Sequence, residues 1–240
     1  MIRLAYDMHI HSCLSPCGDD DMTPANIAGM AYLNNLQLIA LTDHNTVKNC
    51  DSLKKAAKKY GILTLYGMEL TTQEEVHTVC LFPNKASADE WNEYVYSRLM
   101  KIKNNPDIFG KQIIMDENDN ILGEEEYLLI NATEIPFDKV FKAVKSLGGI
   151  AYPAHIDKAA NSLISNLGFI PPDSDFKVAE FSNKDNIETV SNEHPYLKNC
   201  RFVCNSDAHY LQNINTAVNY LETEELSADS VIVSLSRCKE

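Results

Sequence analysis

Short β-rich runs in this chain repeatedly end on a histidine or an acidic residue, and no other feature restricts the fold as much. Leu4-Ala5-Tyr6 leads into Asp7-Met8-His9-Ile10-His11-Ser12, Leu38-Ile39-Ala40-Leu41 into Thr42-Asp43-His44-Asn45, and Ile62 to Tyr66 towards Glu69. Val76 to Phe82 carries His77, and Ile150-Ala151-Tyr152 runs into Pro153-Ala154-His155. Phe176 to Ala179 ends at Glu180, and Phe202-Val203-Cys204 precedes Asn205-Ser206-Asp207-Ala208-His209. Six of the seven histidines fall in these clusters, and only His194, in a surface-turn context, lies outside. A helix bundle would spread such groups along helix faces, whereas a parallel sheet with helical crossovers gathers them on one rim. The expected fold is therefore an α/β barrel formed by all 240 residues as a single domain.

Amphipathic stretches between the runs supply the crossovers. Thr23-Pro24 reads as an N-cap followed by proline in the first turn, with Ile27, Met30, Ala31 and Leu33 behind it. Lysine-rich Ser52 to Tyr60 is stopped by Gly61, and Pro136 to Leu147 is closed by Gly148-Gly149. Ala86 to Lys103 carries Trp91, Tyr94, Val95 and Leu99 on its apolar side, and Ala228 to Ser236 forms the last helix. Residues 104–130 break the rhythm: Asp116-Glu117-Asn118-Asp119-Asn120 predicts a turn between two short strands, a hairpin-like insertion.

Alternate side chains of a strand share a face, so His9 and His11 point the same way and can share one metal ion. Asp7 falls on that face and is placed to orient a histidine from behind. An isolated His-x-His carries little weight. Followed by Thr-Asp-His, Ala-His and Ser-Asp-Ala-His at strand ends, it indicates one site assembled by the whole fold.

Charge bounds the partners. With 21 basic and 34 acidic residues the formal charge is -13, which disfavours a binder of long nucleic acid, since that requires a basic face. A small phosphorylated substrate is compatible with it, because bound cations reverse the local field. Seven cysteines (13, 17, 50, 80, 200, 204 and 238) form no disulfide rhythm and are expected to be reduced. No apolar stretch suits a signal peptide or a membrane span, so a cytoplasmic protein is expected.

His9-x-His11-Ser12, Pro24-Ala25-x-Ile27 and the run from Leu38 to Asn45 resemble the start of a PHP (polymerase and histidinol phosphatase) domain. Gly67-Met68-Glu69, Glu75-Val76-His77, Gly148-Gly149-Ile150 to His155, and Ser206-Asp207-Ala208-His209 resemble its later motifs, in order, over essentially the whole chain. The resemblance implies a distorted (β/α)7 barrel whose two or three divalent ions, Zn2+, Mn2+ or Fe2+, hydrolyse phosphoesters through an activated water. It implies His9, His11, Glu69 and Asp207 around a first ion, with Glu69 bridging to a second held by His77 and His155. His44 and His209 would hold a third, together with one ligand from the loop after His11. Relatives commonly carry aspartate or histidine five or six residues beyond the second histidine, where this chain has Pro16 and Cys17 followed by Gly18-Asp19-Asp20-Asp21. Cys17 fits by spacing, and its thiolate would favour zinc; Asp19 to Asp21 are the competing ligands.

Asp207 and Asp43 are the candidate catalytic carboxylates, Asp43 mainly by orienting histidines, while Glu180 is assigned a wall or supporting place. Lys184 is preferred over Lys158 and Arg201 as the phosphate clamp, and Ser12 is a candidate substrate contact. Ser12 has no dedicated base, so a Ser-His-Asp triad is not expected. The expected reaction is hydrolysis of a small phosphomonoester, histidinol phosphate or a nucleotide being the family's suggestions. Phosphodiester or nuclease activity on short nucleotides is the alternative, and a non-catalytic regulatory module of the same fold would show missing ligands.

Overall fold

The computed structural model describes residues 1–237, so Cys238, one of the cysteines expected to be reduced, lies outside the described residues. The chain forms β1 (Ile2–Ile10), α1 (Pro24–Leu33), β2 (Leu38–Leu41), α2 (Cys50–Lys58), β3 (Leu63–Thr71), β4 (His77–Phe82) and α3 (Lys85–Tyr96). There follow α4 (Pro106–Phe109), β5 (Ile113–Met115), β6 (Ile121–Glu124), α5 (Phe137–Ser146), β7 (Ile150–Pro153) and α6 (Leu163–Leu167). The last elements are β8 (Val178–Phe181), α7 (Ile187–Glu193), β9 (Arg201–Cys204), β10 (Tyr220–Thr223) and α8 (Ala228–Ser236).

The main sheet has the order β10-β1-β2-β3-β4-β7, and β8 pairs in parallel with β9. Ile156 N–H donates to the Glu180 carbonyl at 2.8 Å, joining the end of β7 to β8. A bridge between Ile10 and Ala208 joins the segment after β9 back to β1. The sheet thereby curls into a half-barrel, a mixed α/β fold. Both faces are covered, which explains the continuous apolar strands. Leu38, Ala40, Leu65, Val79, Leu81, Tyr152, Val178 and Val203 point inward, and Val231 and Leu235 of α8 close that inner cluster. Ile39, Leu41, Tyr66, Cys80, Phe82, Ala151 and Ala179 point outward against the helices, where Trp91 is also buried.

The sheet is not the parallel one expected from the sequence. β1, β2 and β3 run in parallel, but β4 is antiparallel to both β3 and β7, and β10 is antiparallel to β1. Five residues connect β3 to β4, closed by Thr72 N–H donating to the Val76 carbonyl at 3.1 Å, with Glu75 at φ 59°. A parallel return needs a crossover of a dozen or more residues. His77 therefore begins its strand rather than ending it, yet the reversal delivers it to the rim reached by the ends of the parallel strands. Glu69 lies within β3, where Gly67 permits the close approach of β2: a Cβ there would sit 2.5 Å from the Leu41 carbonyl oxygen.

One further boundary differs from expectation. α3 ends at Tyr96 instead of Lys103, because residues 99–103 leave the helix to form bridges from Leu99 to Thr133 and from Lys103 to Tyr127. β5 and β6 pair as an antiparallel hairpin around Asp116–Asn120. Among the described residues no helix is long and apolar enough to cross a membrane.

Candidate metal centre

The register of β1 against β2 slips between Asp7 and Ile10. Met8 packs in the inner cluster and Ile10 in the outer one, so the irregularity turns the strand end and aims His9 and His11 over the rim. His9 Nε2 lies 3.2 Å from His11 Nε2, 3.3 Å from Glu69 Oε1 and 3.3 Å from Asp207 Oδ1. His11 Nε2 lies 3.3 Å from Glu69 Oε2 and 3.2 Å from Asp207 Oδ1. His9 Nε2, His11 Nε2 and Asp207 Oδ1 are thus mutually 3.2–3.3 Å apart, the spacing of donors around one ion with bonds of roughly 2.0 Å, and Glu69 turns one oxygen towards each histidine.

Hydrogen bonding fixes which nitrogens are protonated. His9 Nδ1 faces Glu180 Oε1 at 2.9 Å, and His11 Nδ1 faces Ser15 Oγ at 3.0 Å, whose own hydroxyl donates to Asp43 Oδ1 at 2.7 Å. With both rings neutral the Nδ1 atoms are the donors, leaving two Nε2 lone pairs face to face; in the metal-free chain a proton on His11 takes the place a cation would fill. Asp207 Oδ1 is buried and accepts no hydrogen bond in the same place. Two imidazole lone pairs and an unpaired carboxylate oxygen repel one another, and a divalent cation among them relieves all three. The donor set fits a metal.

Glu69, 1% exposed, is the hub. Its Oε1 is also 3.0 Å from His77 Nδ1 and 3.1 Å from His155 Nε2, and its Oε2 is 3.1 Å from His44 Nδ1. Burial alone would raise its pKa, but His77, His9 and His44 outweigh that and hold it well below the ordinary carboxylate range. Burial opposes protonation of His11 as well, yet Asp207 and Glu69 raise it to about 9. His209 is pushed down to about 4 by burial and by His11.

A further group comprises His11, Cys17, His44 and His209, with ligand atoms within 4.8 Å of one another. His209 Nδ1 donates to the Asp207 carbonyl at 2.8 Å, which leaves its Nε2 as the acceptor. Cys17 is an exposed residue, but its sulfur turns into the cavity, where burial and the nearby Glu69 push the thiol up to about 12. The loop brings Cys17, rather than Asp19 to Asp21, alongside the histidines. Asp19 Oδ1 instead accepts the Asp21 N–H at 3.0 Å. The cavity, about 410 Å³, is lined by His44, Glu69, His77, His155, Lys158 and Asp207 among others. His155 and Asp207 adopt φ of 28° and 50°, the left-handed region in which non-glycine residues are held only by their surroundings.

Several residues stand elsewhere than the sequence suggested. Asp7 orients neither histidine ring, since His9 Nδ1 faces Glu180 and His11 Nδ1 faces Ser15, and the register slip separates its face from theirs. Its carboxylate accepts the Ser206 and Asn215 N–H groups, both at 3.0 Å, and so holds the loop bearing Asp207 and His209. The orienting carboxylate for His9 is Glu180, steadied by Asn205 Nδ2 at 3.0 Å. Asp43 lies behind the site, accepting from Ser12 N–H, Ser12 Oγ and Ser15 Oγ, all at 2.7 Å, so it positions His11 through Ser15 and meets no substrate. Ser12 is wholly buried in that network and cannot contact substrate. Lys184 donates outward to the Val218 carbonyl at 3.3 Å, whereas Lys158 Nζ reaches Asp207 Oδ2 at 2.5 Å inside the cavity. Lys158 follows His155 by three residues, a proximity visible in the sequence; Ser15 and Asn205 gave no comparable signal. Asp43→Asn is expected to lower metal affinity ten- to a hundredfold with little change in the fold, measured by competition with a chromophoric chelator.

The PHP domain model matches residues 7–170, and the chain belongs to that family. It is a class of metal-dependent phosphoesterases, hydrolases acting on phosphoester bonds. A 79-residue stretch, 32% of this chain and 28% of the relative, is 35% identical to a 5'-3' exoribonuclease of Haemophilus influenzae. The fold is similar to that of the lesion-specific endonuclease PfuEndoQ from Pyrococcus furiosus, with TM-score 0.68 and 16% identity over 98% of this chain and 56% of that one. It is similar also to endonuclease Q bound to a 27-mer duplex with an abasic lesion at the active site, with TM-score 0.63 and 16% identity over 99% of this chain and 58% of that one. A candidate metal-dependent phosphoesterase from Bifidobacterium adolescentis gives TM-score 0.59 at 16% identity over 96% of this chain and 94% of that one. The chain thus spans little more than half the length of the endonuclease Q chains. The expectation of a small phosphorylated partner, with long nucleic acid disfavoured by net charge, is overturned by the duplex-bound structure of this same fold. Net charge sums the whole surface, whereas a strand meets the local field of the site.

Proposed function

We propose that this chain hydrolyses phosphodiester bonds of nucleic acid at a divalent-metal centre. The observation that carries the reading is the convergence of His9, His11, Glu69 and Asp207 at 3.2–3.3 Å with their lone pairs facing one another. These four would hold a first ion, His77 and His155 would join Glu69 at a second, and His44, His209 and Cys17 would complete a third. Ions bound there supply Lewis acidity to phosphoryl oxygens and lower the pKa of a water. Two imidazole corners suit Zn2+, Mn2+ or Fe2+, and the Cys17 thiolate favours zinc at its own.

Glu180 and Ser15 fix the tautomers of His9 and His11, so the lone pairs need no reorganisation on binding. Lys158 is the phosphate clamp: its ammonium enters the cavity beside Asp207, where an incoming phosphodiester would compete for it. A non-catalytic module has no need of this complete donor set. Residues 1–240 act as one domain with 104–130 an insertion, and buried free thiols at Cys13, Cys50, Cys80 and Cys204 support a cytoplasmic setting.

The test is steady-state hydrolysis of bis(p-nitrophenyl) phosphate and of a labelled oligonucleotide by protein of measured metal content. Lys158→Met is expected to lower kcat/KM by about ten- to a hundredfold, roughly 1.4–2.8 kcal/mol, with metal content unchanged. No cleavage of either diester at full metal occupancy would overturn the reading.

A further inference from the structure

Residues 98–111 carry Arg98, Lys101, Lys103 and Lys111 against a single acidic residue, Asp107, in a chain whose formal charge is -13. Within this run Met100, Ile102, Ile108 and Phe109 are also exposed, Ile108 to 71%. The segment is not a loose loop. Asn104 N–H donates to the Glu126 carbonyl and Asn104 Nδ2 to the Gly110 carbonyl, both at 2.9 Å. Lys101 lies over the Tyr96 ring at 3.3 Å and the Tyr127 ring at 4.8 Å. Lys103 is paired only at the surface, with exposed Glu126 at 2.9 Å.

Both ends of this ledge reach the rim of the metal centre. At Gly110 an added Cβ would sit 3.0 Å from the Pro16 carbonyl oxygen, next to Cys17. On the other side Leu128 N–H donates to the Ile102 carbonyl at 2.8 Å, two residues before Ile130 of the cavity wall. Asn45, adjacent to His44, ties that wall down by donating to the Leu129 and Asn131 carbonyls at 2.7 and 2.8 Å. A rigid, cationic and partly apolar shelf therefore runs from the cavity to solvent.

Building on the nucleic-acid reading above, we infer that residues 100–111 are a track for single-stranded nucleic acid, guiding the strand to the metal centre. Lysines on either side of α4 meet successive phosphates, and Phe109 and Ile108 of that helix offer apolar faces to unpaired bases, which a duplex does not expose. Continuity with the metal cavity selects this occupant over a second copy of the acidic chain, which would meet the same lysines but bring no phosphodiester to the centre.

The experiment uses metal-loaded protein and a phosphorothioate-linked, fluorescently labelled single strand of about 20 nucleotides, followed by anisotropy across a salt series. The double substitution Lys103→Gln, Lys111→Gln is expected to weaken binding about tenfold and to flatten the log K against log salt slope by about 1.4. Phe109→Ala is expected to weaken it about fivefold or more, and Phe109→Tyr to retain wild-type affinity. Hydrolysis of bis(p-nitrophenyl) phosphate is expected to stay unchanged in all three. Unchanged affinity and slope in the first two variants, with diester hydrolysis intact, would overturn the track while leaving the phosphodiesterase reading in place. Strand binding that depends on the ledge, without any diester hydrolysis by wild type, would do the reverse. A dimer that dissociates in Ile108→Asp, while that variant binds the strand as wild type does, would also overturn the track and assign the ledge to self-association.

Discussion

Replacing Glu69 by glutamine is expected to abolish diester hydrolysis, by about 10³-fold or more, or some 4 kcal/mol of transition-state stabilisation. The side chain keeps its shape, so the effect isolates the charge. Glu69 stands within 3.0–3.3 Å of His9, His11, His44, His77 and His155, and no other carboxylate in the site meets so many of them. An amide there would turn an N–H2 group towards at least one of these nitrogens and would supply no anionic oxygen to balance a cation. Metal content, measured by plasma mass spectrometry, is expected to fall by at least one ion per chain. His194→Ala, at the half-buried C-cap of α7 and away from the cluster, is expected to change neither quantity. Full metal occupancy and activity in Glu69→Gln would remove the hub from the account.

Stripping the metal is expected to make stability strongly dependent on pH on both sides of neutrality. In the metal-free chain His11 is raised to about 9, so its contribution is complete below about 6.5, the unfolded value, and is lost as pH rises through 9. The loss approaches about 3 kcal/mol, about 6–12 °C in Tm for a chain of this size. His209 has the opposite sign: lowered to about 4, it stays neutral in the fold, and stability is lost as pH falls from 6.5 towards 4. Glu69 and Asp207, both held well below the carboxylate range, add to the acid-side loss. A cation competes with the proton on His11, so zinc is expected to stabilise the protein more at pH 9 than at pH 6.5. Urea midpoints at these two values, with chelator and with zinc, give the comparison. Equal midpoints in the chelated samples would show that His11 is not held between Asp207 and Glu69 in solution.

Local patterns made much of this legible. The existence of β2, β7 and β9 is legible in their short apolar runs, and Ser227 caps α8 at the residue before the expected Ala228 start. The residues at the strand ends do meet on one rim. What remained hidden depends on pairing across long sequence separations. Asp7 looked placed to orient His9, but that carboxylate comes from Glu180, 171 residues away, through a register slip with no signature in the alternation. Lys184 and Lys158 both follow strands that end in site residues, Glu180 and His155, and only the path of the loop after β7 shows which one turns into the cavity. The antiparallel course of β4 was within reach, since five residues after β3 leave no room for a helix.

The most direct test of the metal centre is an anomalous difference map from crystals grown with zinc, collected on both sides of the zinc edge. The expected result is a peak roughly 2.0 Å from His9 Nε2, His11 Nε2 and Asp207 Oδ1 and from one oxygen of Glu69. A fully occupied zinc site elsewhere, with no peak among these four side chains, would contradict it.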